Sequence, residues 1–147
     1  MCHLQRDLCT VFRRNAKIEL LRGIPLFSGC SRRRLAEISM IADEIDLPAG
    51  RTLIREGERG RQFIVVAQGS VDVSRKGRKL PIRGESEFFG EIALLRGSRA
   101  LATVTTATPV RALVITDRGF RNLIKDVPSV QRKILQSLLE QWTADAP

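Results

Sequence analysis

The sequence predicts an α+β fold: a short antiparallel β-roll, jelly-roll-like in layout, with helices before and after it. Two observations carry this. Between residues 42 and 116, short apolar and β-branched runs alternate with glycines at 50, 57, 60, 69, 77 and 84, the pattern of many short strands joined by turns. On either side of that span the apolar period is helical. A third feature, the stretch 88–104, interrupts the strand cadence with a run of helix formers and carries the chemistry.

Residues 1–22 place Leu4, Leu8, Val11, Phe12, Ile18, Leu20 and Leu21 among basic residues in a loosely helical period. They form an N-terminal helical segment, and residues 23–147 form the domain proper. Packing of that segment on the domain is favoured over a helix that docks on a partner or membrane. Gly23 to Phe27 reads as a turn with apolar plugs. Ser31 is a suitable N-cap for a helix over 32–41, with Leu35, Ile38 and Ile41 on one face. Arg32, Arg33 and Arg34 fall in its first turn, where the helix dipole disfavours cations, and read as a solvated run.

Strands are expected over 44–47, 52–55, 62–67, 70–75, 79–82, 99–107 and 110–115, with tight turns at Gln68-Gly69 and Lys76-Gly77. The Arg75–Lys79 hairpin is densely basic. Such charge usually keeps a sheet edge soluble, and phosphate contact is the lesser alternative. Asp117 is expected to cap a helix through Lys125 that buries Phe120, Leu123 and Ile124. Pro128 opens a second helix with Val130, Ile134, Leu135, Leu138, Leu139 and Trp142 on its apolar face.

Bulk properties bound the function. A single domain of 147 residues buries roughly 70% of its unfolded surface, enough for a core. The net charge of +9 favours acidic partners without specifying a fold. Three cysteines, Cys2, Cys9 and Cys30, are too few and too oddly spaced for a disulfide framework. No 7–15-residue apolar run opens the chain and no run approaches a membrane span, so a cytoplasmic location is expected. Cys2, His3 and Cys9 fall short of a structural zinc set, so no metal is expected. His3 is the one histidine and lies in the N-terminal segment, so no Ser-His-Asp or Cys-His site is credible, and the chain is expected not to be an enzyme. No resident cofactor and no DNA-binding helix-turn-helix are expected.

In the central stretch, Gly90 frees the backbone for a tight turn, Glu91 to Leu95 favour a short helix, and Gly97 ends it. A helix start of this kind suits an anion. Phe89-Gly90-Glu91-Ile92-Ala93-Leu94-Leu95, followed by Ala102-Thr103-Val104, resembles the phosphate-binding cassette of cyclic-nucleotide-binding domains. The cadence of Ala49-Gly50, Glu56-Gly57-Glu58 and Phe63 to Gly69 resembles the same family's β-roll, so the resemblance runs from about Leu21 onward. It implies a ligand site of Phe89, Gly90, Glu91, Ile92, Ala93, Arg99, Ala100, Leu101, Ala102 and Thr103. Backbone N–H groups and an arginine would hold a cyclic phosphate, and Glu91 a ribose hydroxyl. It also implies a lid from the last helix, with Leu138 and Trp142 as candidates and Trp142 stacking on the base; core packing or a dimer seam is the alternative for that helix.

The pattern departs from the family at one place. Three residues separate Leu95 from Arg99 where the family has four, and Ala100 occupies the family's arginine position. A regular strand would turn Arg99 away from the pocket and Ala100 towards it. A bulge near Ala100 would re-aim Arg99 inward, and the kept Gly90, Glu91 and Ala-Thr-Val strand favour the bulge. The function implied is a regulatory module sensing a cyclic nucleotide, cAMP over cGMP, that signals to a protein partner, with a homodimer through the last helix possible. The alternative is an interaction module that keeps the roll without a ligand.

Overall fold

The computed structural model describes residues 15–80 and 87–145, with side chains to residue 139. Two four-stranded antiparallel sheets form the roll. One has the order β1 (Ala42–Leu47), β8 (Val110–Thr116), β3 (Gln62–Gln68), β6 (Phe88–Phe89); the other has β2 (Thr52–Ile54), β7 (Thr103–Thr106), β4 (Val71–Arg75), β5 (Arg78–Lys79). Helices α1 (15–22), α2 (Arg32–Ile41), α4 (Asp117–Asp126) and α5 (Pro128–Asp145) flank it, and α3 (Glu91–Arg96) interrupts it. The α+β roll and the flanking helices agree with the sequence reading.

The central strands of the first sheet, β8 and β3, are buried on both faces, and the sequence explains how. Strand side chains alternate, so Ile64 and Val66 of β3 join Val110 and Ala112 of β8 against Val71, Val73 and Val104 of the other sheet. Phe63 and Val65, with Leu113 and Ile115, point the other way into a larger core. That core is completed by Ile18 and Leu21 of α1, Phe27, Leu35 and Ile38, Phe120 and Leu123 of α4, and Val130 and Ile134 of α5. Phe63 stacks on Phe120 with ring centroids 4.7 Å apart, within the range where aromatic pairs gain beyond their buried area. The described part of the N-terminal segment therefore packs on the domain.

Local signals account for most boundaries. Ser31 caps α2 by accepting from Arg34 N at 3.2 Å. The arginines of its first turn are partly neutralised, since Arg34 pairs with Glu37 at 2.9 Å. The cap of α4 is Thr116, whose hydroxyl accepts from Gly119 N at 3.1 Å, and not Asp117. Asp117 instead holds Arg121 one turn later, Nε donating to Oδ1 at 2.7 Å. The β4–β5 hairpin turns through Lys76 (φ 53°) and Gly77 (φ 77°), the paired left-handed conformation of a two-residue hairpin. β6 was not expected from the sequence, and the expected strand over 79–82 is described only as β5 at Arg78–Lys79; residues 81–86 lie outside the described residues. The expected strand over 99–107 is regular only from Thr103.

Lys133 on α5 donates to the carbonyl of Pro25 and to Ser28 Oγ, the latter at 2.7 Å. It ties the last helix to the 3-10 turn Pro25–Phe27.

Candidate functional site

The candidate site is built on α3. Gly90 precedes it at φ 97°, a conformation that side chains other than glycine rarely adopt. A Cβ there would also lie 2.4 Å from the carbonyl oxygen of Gln62, so glycine is required twice over. This turn takes the chain from β6, paired with β3 through Ile64↔Phe89, straight into the helix. Leu94 anchors the helix in the main core. Gly60 lets the segment before β3 press on it, since a Cβ on Gly60 would stand 2.4 Å from Ala93 Cβ.

Glu91 opens α3 and is only 3% exposed. The backbone N–H groups of the first turn have no carbonyl four residues back within the helix. At the other end, Arg121 Nη2 donates to the Leu94 carbonyl at 3.4 Å, linking α3 to α4.

The other residues expected at the site divide. Phe89, Ile92, Ala102 and Thr103 are half-buried; Ala93 and Ala100 are buried, and Leu101 is 40% exposed. Phe89 and Ala102 pack on the inter-sheet core. The Thr103 hydroxyl accepts from Glu56 N at 3.0 Å. Leu138 is half-buried against the main core. The side chain of Trp142, and Cys2, His3 and Cys9, lie outside the described residues.

Arg99 does not turn inward. Arg59 and Arg99 face each other across an antiparallel bridge, held by Gly60 N→Ser98 O at 3.4 Å and Ala100 N→Glu58 O at 2.7 Å. Bonds that flank the pair in this way make it a non-hydrogen-bonded pair, whose side chains share one face. The next residues, Gly60 and Ala100, take the opposite face, and Gly60 contacts α3 there. Arg99 is thus exposed on the side away from α3, with Nη1 donating to the Gly57 carbonyl at 2.7 Å.

The expected bulge exists, but on the facing strand. Gly57 N donates to the Ala100 carbonyl at 2.9 Å while Ala100 N donates to Glu58 O, so two residues oppose one. Gly57 is the extra residue, at φ 86°. A bulge placed there bends its own strand and leaves Arg99 where regular alternation puts it. The sequence carried a signal for this in Glu56-Gly57-Glu58, but not the identity of the residue opposite.

Two facing antiparallel sheets with a glycine-started helix lodged against them define a helix-flanked β-roll domain. Residues 44–127 match the cyclic nucleotide-binding domain, and the chain belongs to that family. It is 30% identical over 125 residues to the CRP-like cAMP-activated global transcriptional regulator of Mycobacterium tuberculosis, covering 82% of this chain and 56% of that protein. The regulatory domain of Toxoplasma gondii PKA with cAMP has the same fold, with a TM-score of 0.77 at 20% identity over 88% of this chain and 51% of that one. The regulatory subunit of a cAMP-independent protein kinase A from Trypanosoma brucei gives a TM-score of 0.75 at 25% identity, over 86% and 48% of the two chains. The chain therefore spans about half the length of these relatives.

Proposed function

We propose that the chain is a regulatory module that senses a cyclic nucleotide, cAMP over cGMP, and signals to a protein partner through α4 and α5. The observation that carries this is Glu91, a buried carboxylate residue in the first turn of a helix started by a left-handed glycine, inside the span matched by the family. In this reading its carboxylate accepts from the ribose hydroxyl and the first-turn N–H groups of α3 receive the cyclic phosphate. In the family guanine selectivity often goes with a threonine after the arginine, and Ala100 or Leu101 stands there. Occupancy would shift the population of α4 and α5 arrangements, and Arg121 offers the direct link from α3.

The module is proposed to bind without turnover and to act in the cytoplasm. Among the described residues no helix is long and apolar enough to cross a membrane, and no three metal-ligating side chains come together. Leu135 and Leu139, 53% and 61% exposed on α5, are where a second copy would pack. Calorimetric titration with cAMP, cGMP and AMP tests the reading. Saturable binding of cAMP, weaker for cGMP and absent for AMP, is expected; equal binding of AMP defeats it. Release of AMP from cAMP in proportion to protein would defeat the non-catalytic part.

A second reading is favoured by Arg99, whose guanidinium is bonded to Gly57 on the outer face. Here the roll serves as an interaction module without a ligand. Silence towards all three nucleotides in the same titration would select it.

A further inference from the structure

Cations gather at one end of the roll, more numerous there than the carboxylates of the same segments. Arg59 and Arg99 stand opposite each other on one face. Like charges directly opposite destabilise a ribbon, and among the described residues neither arginine makes an ion pair. Elsewhere Arg22 pairs with Glu19, Arg34 with Glu37, Arg111 with Glu44 and Asp46, and Arg121 with Asp117.

The basic hairpin adjoins this pair. Lys76 N donates to both carboxylate oxygens of Glu56, at 3.2 and 3.1 Å, and Glu56 precedes Gly57, whose carbonyl takes Arg99. The neighbouring carboxylate is therefore drawn onto the hairpin backbone. Residues 55–59, 76–79 and 99 hold six cationic side chains against two carboxylates, and all six are exposed.

We propose that this end docks the phosphodiester backbone of duplex nucleic acid, without reading sequence. Four of the six cations are arginines, whose planar forks match phosphate oxygens. A phosphate shared by Arg59 and Arg99 removes their mutual repulsion. These segments carry no aromatic residue for stacking on bases, so contact is confined to the backbone. Leu80 and Leu101, each 40% exposed, present too little apolar surface to anchor in a bilayer. A polymer with one charge per ~1.7 Å of axis complements fixed cations better than a flexible acidic peptide does. The Arg59–Arg99 face lies away from α3, so the inference stands apart from nucleotide sensing.

Fluorescence anisotropy of the full chain with a labelled mixed-sequence duplex, between 50 and 200 mM salt, tests it. Log affinity should fall linearly with log salt, and a scrambled duplex should bind equally. Arg59→Ser with Arg99→Ser should reduce the slope by about 0.9, since the two share one phosphate and each phosphate neutralised contributes roughly that much. Arg78→Ser with Lys79→Ser on the edge strand should do likewise, giving a second reading if the first variant folds poorly. Arg132→Ser, exposed on α5, should leave binding unchanged. No duplex binding at 50 mM salt, an unchanged slope in both double variants, or tighter binding to phosphatidylserine vesicles or polyglutamate than to duplex would overturn the proposal.

Discussion

Arg121 Nη2 meets the Leu94 carbonyl at 3.4 Å while its Nε is fixed on Asp117 Oδ1 at 2.7 Å. One side chain thus places a positive charge at the C-terminal end of α3, where the dipole favours it, and hangs it from the first turn of α4. Because Arg121 and Asp117 are exposed to 63% and 46%, the pair adds little stability. Arg121→Gln should cost below ~1 kcal/mol but loosen α3. Hydrogen exchange is expected to speed up within Glu91–Arg96 more than at the centre of α4; equal change in both would mean the link is incidental.

The contact of Gly60 with Ala93 is purely steric. An added methyl would stand 2.4 Å from Ala93 Cβ, and neither atom has a torsion to turn it aside. Gly60→Ala should destabilise by about 1–3 kcal/mol, as overpacking does. The urea midpoint should drop with an unchanged denaturant slope.

Arg99 gives the sharpest test of ligand binding. With its guanidinium on Gly57 and away from α3, Arg99→Ala should leave cAMP affinity nearly unchanged. Ala100→Arg with Arg99→Ser places an arginine on the face of Gly60 and α3. A charge-assisted bond there is worth roughly 1.5–3 kcal/mol, or about 10- to 150-fold in affinity. Loss of binding in Arg99→Ala alone would return Arg99 to the site.

Asp46 and Arg111 perturb each other's titration. The hydrogen bond from Arg111 holds the Asp46 pKa below the ordinary 3.8, and the same bond raises Arg111. A carboxyl with a depressed folded pKa contributes stability that is fully present above its unfolded pKa and is lost as pH falls through the folded one. Asp46→Asn should therefore flatten the stability profile only below about pH 4. A changed slope between pH 6 and 8 would point to another group.

Helix α2 could be read to its ends because cap and period are both local: Ser31 lies one residue before the helix, and Leu35 and Ile38 repeat within it. Thr116 lost the cap to Asp117 in the sequence reading because both residue types cap helices, and only the chain path chooses between them. β6 is two residues long and owes its existence to Ile64 and Val65 opposite. Glu91 and Gly90 were legible because a turn glycine and a helix start are adjacent in sequence. The outward face of Arg99 was not, because it depends on Gly57 and Glu58, 42 and 41 positions earlier, meeting Ala100. Nothing near Arg121 or Lys133 announced their distant carbonyl partners.

The bond from Lys133 to the Pro25 carbonyl joins residues 108 apart, and the core that it covers unites Ile18 with Ile134. Such long-range closure slows folding, because loop entropy is lost before the contact forms. During synthesis, α1 and the outer face of the first sheet cannot be fully covered until α5 has left the ribosome. From the synthesis of β3 until α5 emerges the nascent chain carries Phe63 and Val65 uncapped, joined by Leu113 once β8 is made, a window in which a chaperone would find its substrate.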